Sequence, residues 1–147
     1  MRKEKTLSVE EERNPRLEEQ LSVFVENKIG RIHEVVQVLG AEGINMQAFS
    51  LAENVDFGIL RLIVSDVPKA VEALRAAHLA VKRTAVLCLD CADRPGALAE
   101  VMQRLAEREI FVEYMYAFAR NEEALVVIKP RDIEACRAAL DNWQAKP

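Results

Sequence analysis

Asn27-Lys28-Ile29-Gly30-Arg31-Ile32-His33-Glu34-Val35-Val36 is answered 66 positions later by Asp93-Arg94-Pro95-Gly96-Ala97-Leu98-Ala99-Glu100-Val101-Met102. The register continues without a gap: Gln37 falls on Gln103, Leu39 on Leu105, Ile44 on Ile110, Asp66 on Asp132, Ala73 on Ala139 and Leu74 on Leu140. Substitutions between the copies keep chemical type, Lys28 becoming Arg94, Ile32 Leu98, Ile59 Leu125 and Leu62 Ile128. Self-similarity at a fixed period marks a duplicated structural unit. The fold is therefore one small domain written twice.

Each copy opens on a short alternating apolar run, Leu21 to Val25 and Val86 to Cys91, which reads as a strand. A turn then leads into a helix whose apolar stripe is Ile32, Val35, Val36 and Leu39 in one copy and Leu98, Val101, Met102 and Leu105 in the other. Gly40 and Gly43 suit the first helix's exit, and Ile44-Asn45-Met46-Gln47-Ala48-Phe49 and Ile110 to Phe118 begin second strands. Glu53-Asn54-Val55-Asp56 and Arg120-Asn121-Glu122-Glu123 have hairpin chemistry and lead into apolar runs, Phe57 to Val64 and Ala124 to Ile128. Asp66 and Asp132 suit N-caps of second helices, with Pro68 tolerated in a first turn. Leu79 to Lys82 closes the first copy as a fourth strand. The unit is strand, helix, strand, strand, helix, strand, the split βαβ or ferredoxin-like arrangement. The expected class is α+β: two such units in tandem, each an antiparallel sheet with helices on one face.

The expected division is a charged tail over 1–18, a first domain over 19–83 and a second over 84–147. After Leu140 too little chain remains for a confident fourth strand in the second copy. Either Trp143 caps the core, or the N-terminal segment or another chain fills the missing edge. Period-two counting from Met46 puts Met46, Ala48 and Ser50 towards the helices. Gln47, Phe49 and Leu51 then point to the opposite face, with Phe111, Met115 and Ala117 in the second copy. Apolar residues on both faces of the sheet imply that the helix-free side is covered too, and a homodimer is expected.

Composition narrows the function. The chain has 147 residues, 50% of them hydrophobic and 30% charged, with five Gly and five Pro, which excludes collagen-like and low-complexity classes. A net charge of -4 provides no basic field for nucleic acid or an anionic membrane surface. No apolar run approaches the ~20 residues that span a bilayer, and the first residues lack the apolar core of a signal peptide. A cytoplasmic protein is expected. Cys88, Cys91 and Cys136 are too few for a disulfide framework.

Lys28-Ile29-Gly30 and Arg94-Pro95-Gly96 each form a tight turn that presents backbone N–H groups at a helix start, where the dipole favours a carboxylate. Asn27 and Asp93, just ahead, can accept hydrogen bonds from an ammonium group, and glycine lets the backbone approach closely. The ligand described is an amino-acid zwitterion. Candidate contacts are Asn27, Lys28, Ile29, Gly30, Arg31 and Ile32 in the first copy and Asp93, Arg94, Pro95, Gly96, Ala97 and Leu98 in the second.

The segments from Asn27 to Met46 and from Asp93 to Val112 resemble the ACT domain, a regulatory module that binds amino acids. The shared pattern is an Asn or Asp ahead of a Gly, a helix rich in Leu and Val, and Gly43-Ile44-Asn45 opening strand two. In the second copy Glu109 and Phe111 replace that Gly and Asn. The likeness covers about 20–140, and Asp56 to Arg61 and Glu113 to Tyr116 are similar to free-standing tandem ACT proteins. The resemblance implies a ligand held between ACT units, with Asn45, Tyr114 and Tyr116 contributing from a neighbour's strand two. It implies a non-catalytic sensor needing no cofactor, or alternatively the regulatory subunit of a separate biosynthetic enzyme similar to acetolactate synthase small subunits.

Three other signals are discounted. Cys88-Leu89-Asp90-Cys91 matches C-x-x-C, but on a strand Cys91 enters the core beside Leu89 while Cys88 faces away, and no second Cys/His pair completes a metal site. Asp56-Phe57-Gly58 imitates a kinase triplet in a chain too short for that fold. His33 and His78 have no partners suggesting a triad.

Overall fold

The computed structural model describes residues 14–53 and 56–143. Its elements run β1 (Arg16–Glu26), α1 (Arg31–Ala41), β2 (Met46–Glu53), β3 (Phe57–Val64), α2 (Val67–Ala76), β4 (Ala80–Ala92), α3 (Ala97–Glu107), β5 (Val112–Arg120), β6 (Glu123–Pro130) and α4 (Ile133–Ala139). They divide into two compact units, a first of Glu19–Ala85 and a second formed, among the described residues, by 14–18 together with 86–143. Two of the sequence boundaries shift. β1 starts at Arg16, so 16–18 are strand rather than tail, and residues 1–13 of that tail lie outside the described residues. The first copy's fourth strand and the second copy's first strand are one continuous strand, β4, because no turn residue interrupts Ala80 to Ala92.

In the first unit β3 is central, paired antiparallel with β1 (Val23 opposite Leu60) and with β2 (Leu51 opposite Leu60). Leu21, Val23 and Val25 of β1 and Leu60, Leu62 and Val64 of β3 pack against Val35 and Leu39 of α1 and Ala70, Val71 and Leu74 of α2. Both helices therefore lie on one face. The second unit repeats this: β6 pairs with β4 (Leu89 opposite Val126) and with β5 (Ala117 opposite Val126). Leu87, Leu89 and Cys91 meet Val101 and Leu105 of α3, Cys136 and Ala139 of α4, and the C-cap Leu140 in its core. Cys91 faces inward as the alternation requires, while Cys88 on the opposite face places its thiol 3.6 Å from the Glu18 carboxylate.

The second unit's missing edge is supplied from the N-terminus, since β1 neighbours β4. Asn14 brackets the junction like a short piece of strand: its Oδ1 accepts from the Asp90 N–H at 2.9 Å and its Nδ2 donates to the Asp90 and Trp143 carbonyls. Arg16 pairs with the Asp90 carboxylate. Trp143 also closes the core, so both alternatives read from the sequence operate within this unit.

Two expectations about faces are corrected. A register shift between Met46 and Ala48, and another between Val112 and Tyr114, adds one residue to each strand and reverses the facing of every later side chain. Phe49 and Leu51 accordingly share the helix side with Leu62 and Leu60, while Ala48 and Ser50 turn to the helix-free side with Ile63 and Arg61. In the second unit Met115 and Ala117 join the helix side, and Tyr114, Tyr116 and Phe118 take the other. The helix stripes are also narrower than the sequence suggests. Val36 and Leu98 are 40% and 43% exposed, and Val38 and Ala97 take the inward places beside Val35 and Val101.

Both second helices are capped where the sequence places the caps, Asp66 accepting from the Lys69 N–H and Asp132 from the Ala135 N–H. Of the hairpin Glu53 to Asp56, Asn54 and Val55 lie outside the described residues. No helix among the described residues is long and apolar enough to cross a membrane.

Candidate functional site

The turns before α1 and α3 are built alike. The Lys28 N–H donates to the Glu26 carbonyl and the Arg31 N–H to the Lys28 carbonyl, and Arg94 and Ala97 repeat both bonds on Ala92 and Arg94. The chain then enters the helix through a left-handed glycine, Gly30 at φ 90° and Gly96 at φ 86°. A side chain there would be strained, so the position selects glycine. Glycine has no side-chain oxygen, so neither helix is capped by its N-cap side chain, and the dipole end faces outward. The turns are surface features, with Asn27, Lys28, Ile29 and Gly30 exposed in one and Asp93, Arg94, Pro95 and Gly96 in the other.

Not every residue expected at the site points to it. Ile32 packs against the first core and Ala97 is part of the second, so their contribution is confined to backbone. Asn45 lies at the far end of β2 from the turn of its own unit, where it exchanges bonds with Ser65: the Asn45 N–H donates to Ser65 Oγ and the Ser65 N–H to the Asn45 carbonyl. Tyr114 and Tyr116 are half-buried on the helix-free side of β5.

Gly58 and Leu51 lie beside Asn27 of the first turn, and neither is among the candidate contacts named from the sequence. Simple alternation puts Leu51 on the opposite face, because the bulge at Gln47 leaves no mark in the sequence. A Cβ on Gly58 would lie 3.3 Å from Leu51 Cδ1 and 3.5 Å from both Asn27 Oδ1 and Val25 Cγ2. Gly58 thus lets the Asn27 amide and the Leu51 side chain close over the sheet beside the turn. The second copy reverses the volumes, with Ala124 in place of Gly58 and Ala117 in place of Leu51.

Charges surround both turns. Glu26 pairs with Lys28 at 2.9 Å and with Arg31 at 3.7 Å, and Arg31 reaches Glu34 at 3.0 Å. Lys28 first, then Arg31, holds the Glu26 carboxyl below the usual carboxylate range. In the second unit Arg94 and Glu100 pair at 3.4 Å, and the second Glu100 oxygen is buried without a hydrogen-bond partner. The thiols have the opposite tendency: burial, followed by Glu18, pushes Cys88 up, and burial raises Cys136 to about 11. Both are the reverse of an activated nucleophile. Among the described residues no three His, Cys, Asp or Glu side chains are grouped so as to hold a metal ion.

Comparison with known proteins agrees with this architecture. The sequence matches the family described as ACT domain pair over residues 17–142. The crystal structure of protein BT0572 from Bacteroides thetaiotaomicron is similar at 50% identity and a TM-score of 0.82, covering 86% of this chain and 88% of that one. The ligand-free regulatory subunit of aspartate kinase from Thermus thermophilus superposes at 18% identity and a TM-score of 0.62, over 88% of this chain and 92% of that one. The corresponding subunit from Thermus flavus gives 18%, 0.58, 86% and 94%. These last two are likenesses of fold. No curated protein matches the chain. With two copies of one split βαβ unit, each entered through a left-handed glycine, and a family match spanning both, the chain belongs to the ACT domain pair family.

Proposed function

We propose that this protein is a non-catalytic regulator that binds a free amino acid at its glycine turns. The observation that carries the reading is the duplicated entry into α1 and α3, a left-handed glycine with no side-chain cap. It offers amide hydrogens and a positive dipole end to a carboxylate. Asn27 and Asp93 stand beside it for the ammonium group, and exposed Ile29 and Leu51 offer apolar contact to a side chain. Asn45, Tyr114 and Tyr116 act from the strand of a second copy, which makes the working form a homodimer. Each subunit then responds because ligand favours one arrangement over another, and the response is bounded by that difference in affinity.

A stabilising ligand raises the melting temperature by mass action. The protein is expected to show this rise with one or a few amino acids, and the rise is expected to shrink in Gly30→Val and Asn27→Ala and to shrink further when Gly96→Val is added. A full rise in Gly30→Val would remove the first turn from the site. The homodimer is checked by sedimentation across micromolar dilution, where a constant monomer mass contradicts it.

A second reading, a regulatory subunit of a separate enzyme, is favoured by the fold likeness to the regulatory subunits of aspartate kinase from Thermus thermophilus and Thermus flavus. Co-purification with a larger catalytic chain supports it, whereas stoichiometric ligand binding by the isolated protein supports the free-standing sensor.

A further inference from the structure

The first unit contains a groove of about 430 Å³ that shares only Arg31 with the candidate turn contacts. It opens where the end of β1 (Phe24, Glu26), the first turn of α1 (Arg31, Glu34) and the turn from α2 into β4 (His78, Ala80) come together. We infer that this groove is a separate binding site for a compact zwitterion such as an amino acid, with Arg31 facing its carboxylate and Glu34 and Glu26 its ammonium group.

The charges select that class. Arg31 lies 3.0 Å from Glu34 and 3.7 Å from Glu26, whose carboxylate also meets Lys28 at 2.9 Å. A simple anion entering here competes with two carboxylates for one guanidinium. A simple cation meets Arg31 and Lys28 at close range. A zwitterion converts the Arg31–Glu34 pair into two crossed pairs and leaves no charge unmatched. The cost of parting the existing pair is small, because both side chains are more than a third exposed and such pairs add little stability. Phe24 and Ala80 supply apolar surface for the remainder of the ligand, and the volume falls within the range of small-molecule sites. Arg31 also opens α1 immediately after Gly30, so an occupant of the groove bears directly on the turn.

The test is a titration of the isotope-labelled full chain with individual amino acids, read at the backbone amides of His78, Leu79 and Ala80 and separately at Ile29 and Gly30. Saturable shifts at 78–80 are expected. Ala80→Phe, an exposed strand position that accepts an aromatic, is expected to weaken binding there about tenfold with an unchanged melting temperature, and Glu34→Gln several-fold. Shifts at Ile29 and Gly30 with none at 78–80, and wild-type affinity in Ala80→Phe, overturn the groove while leaving the glycine-turn reading standing. Shifts confined to 78–80 establish the groove and count against the turn. Silence at both positions overturns both.

Discussion

At the scale of single residues, Glu109 does in the second copy what Gly43 does in the first. Both come after a helix and turn left-handed, Gly43 at φ 69° and Glu109 at φ 55°. The Gly43 and Ile44 N–H groups donate to Gly40 and Leu39, and those of Glu109 and Ile110 to Ala106 and Leu105. Only the glutamate bears the steric cost of that conformation. Glu109→Gly is therefore expected to stabilise the protein by about 0.5–1 kcal/mol in urea unfolding, less whatever the added freedom of the unfolded chain removes. The cysteines make a second prediction. Burial raises Cys136 to about 11 and moves Cys88 in the same direction, so the folded state holds these protons more tightly than the unfolded chain. Stability is fully present below about pH 9 and falls as pH rises from there towards 11. Urea midpoints at pH ~8 and pH ~10 check the sign, and Cys136→Ala should flatten the decline.

At the scale of elements, α1 separates two adjacent valines. Val35 is buried in the first core and Val36 is not, so Val35→Ala should cost roughly 2 kcal/mol and Val36→Ala less than about 0.5 kcal/mol in chemical unfolding. Replacing Asp66 or Asp132 by Ala should cost about 1 kcal/mol through the lost cap. The caps, the turns and the helices are legible in the sequence because each is fixed by local chemistry: a carboxylate before an apolar helix, a glycine where φ must be positive. The faces of β2 and β5 are not. Their bulges fall at Gln47 and Glu113, ordinary residues that carry no turn signal, and a one-residue insertion reverses every side chain beyond it. Alternation alone puts Leu51 on the wrong side for that reason, and hides its approach to Gly58 beside Asn27.

At the scale of the whole molecule, the repeat predicts two similar units, but the chain does not divide cleanly between them. Residues 14–18 belong with the second unit, where Asn14 and Arg16 hold Asp90. Charged residues at Arg16, Glu18 and Glu19 make this stretch read as tail, because pairing with a strand more than seventy residues away leaves no local pattern. Asn14→Ala leaves the Asp90 N–H and the Asp90 and Trp143 carbonyls without these bonds, and is expected to destabilise by about 1–3 kcal/mol. Amide exchange at Asp90 should accelerate. The function proposed for the molecule rests on its glycine turns being ligand sites. Titration calorimetry of the intact chain and of its Gly30→Val and Gly96→Val variants against each standard amino acid tests this most directly. A saturable heat from one or a few of them that falls in the glycine variants is the predicted result, and no heat from any, or an undiminished heat in both variants, would contradict the account.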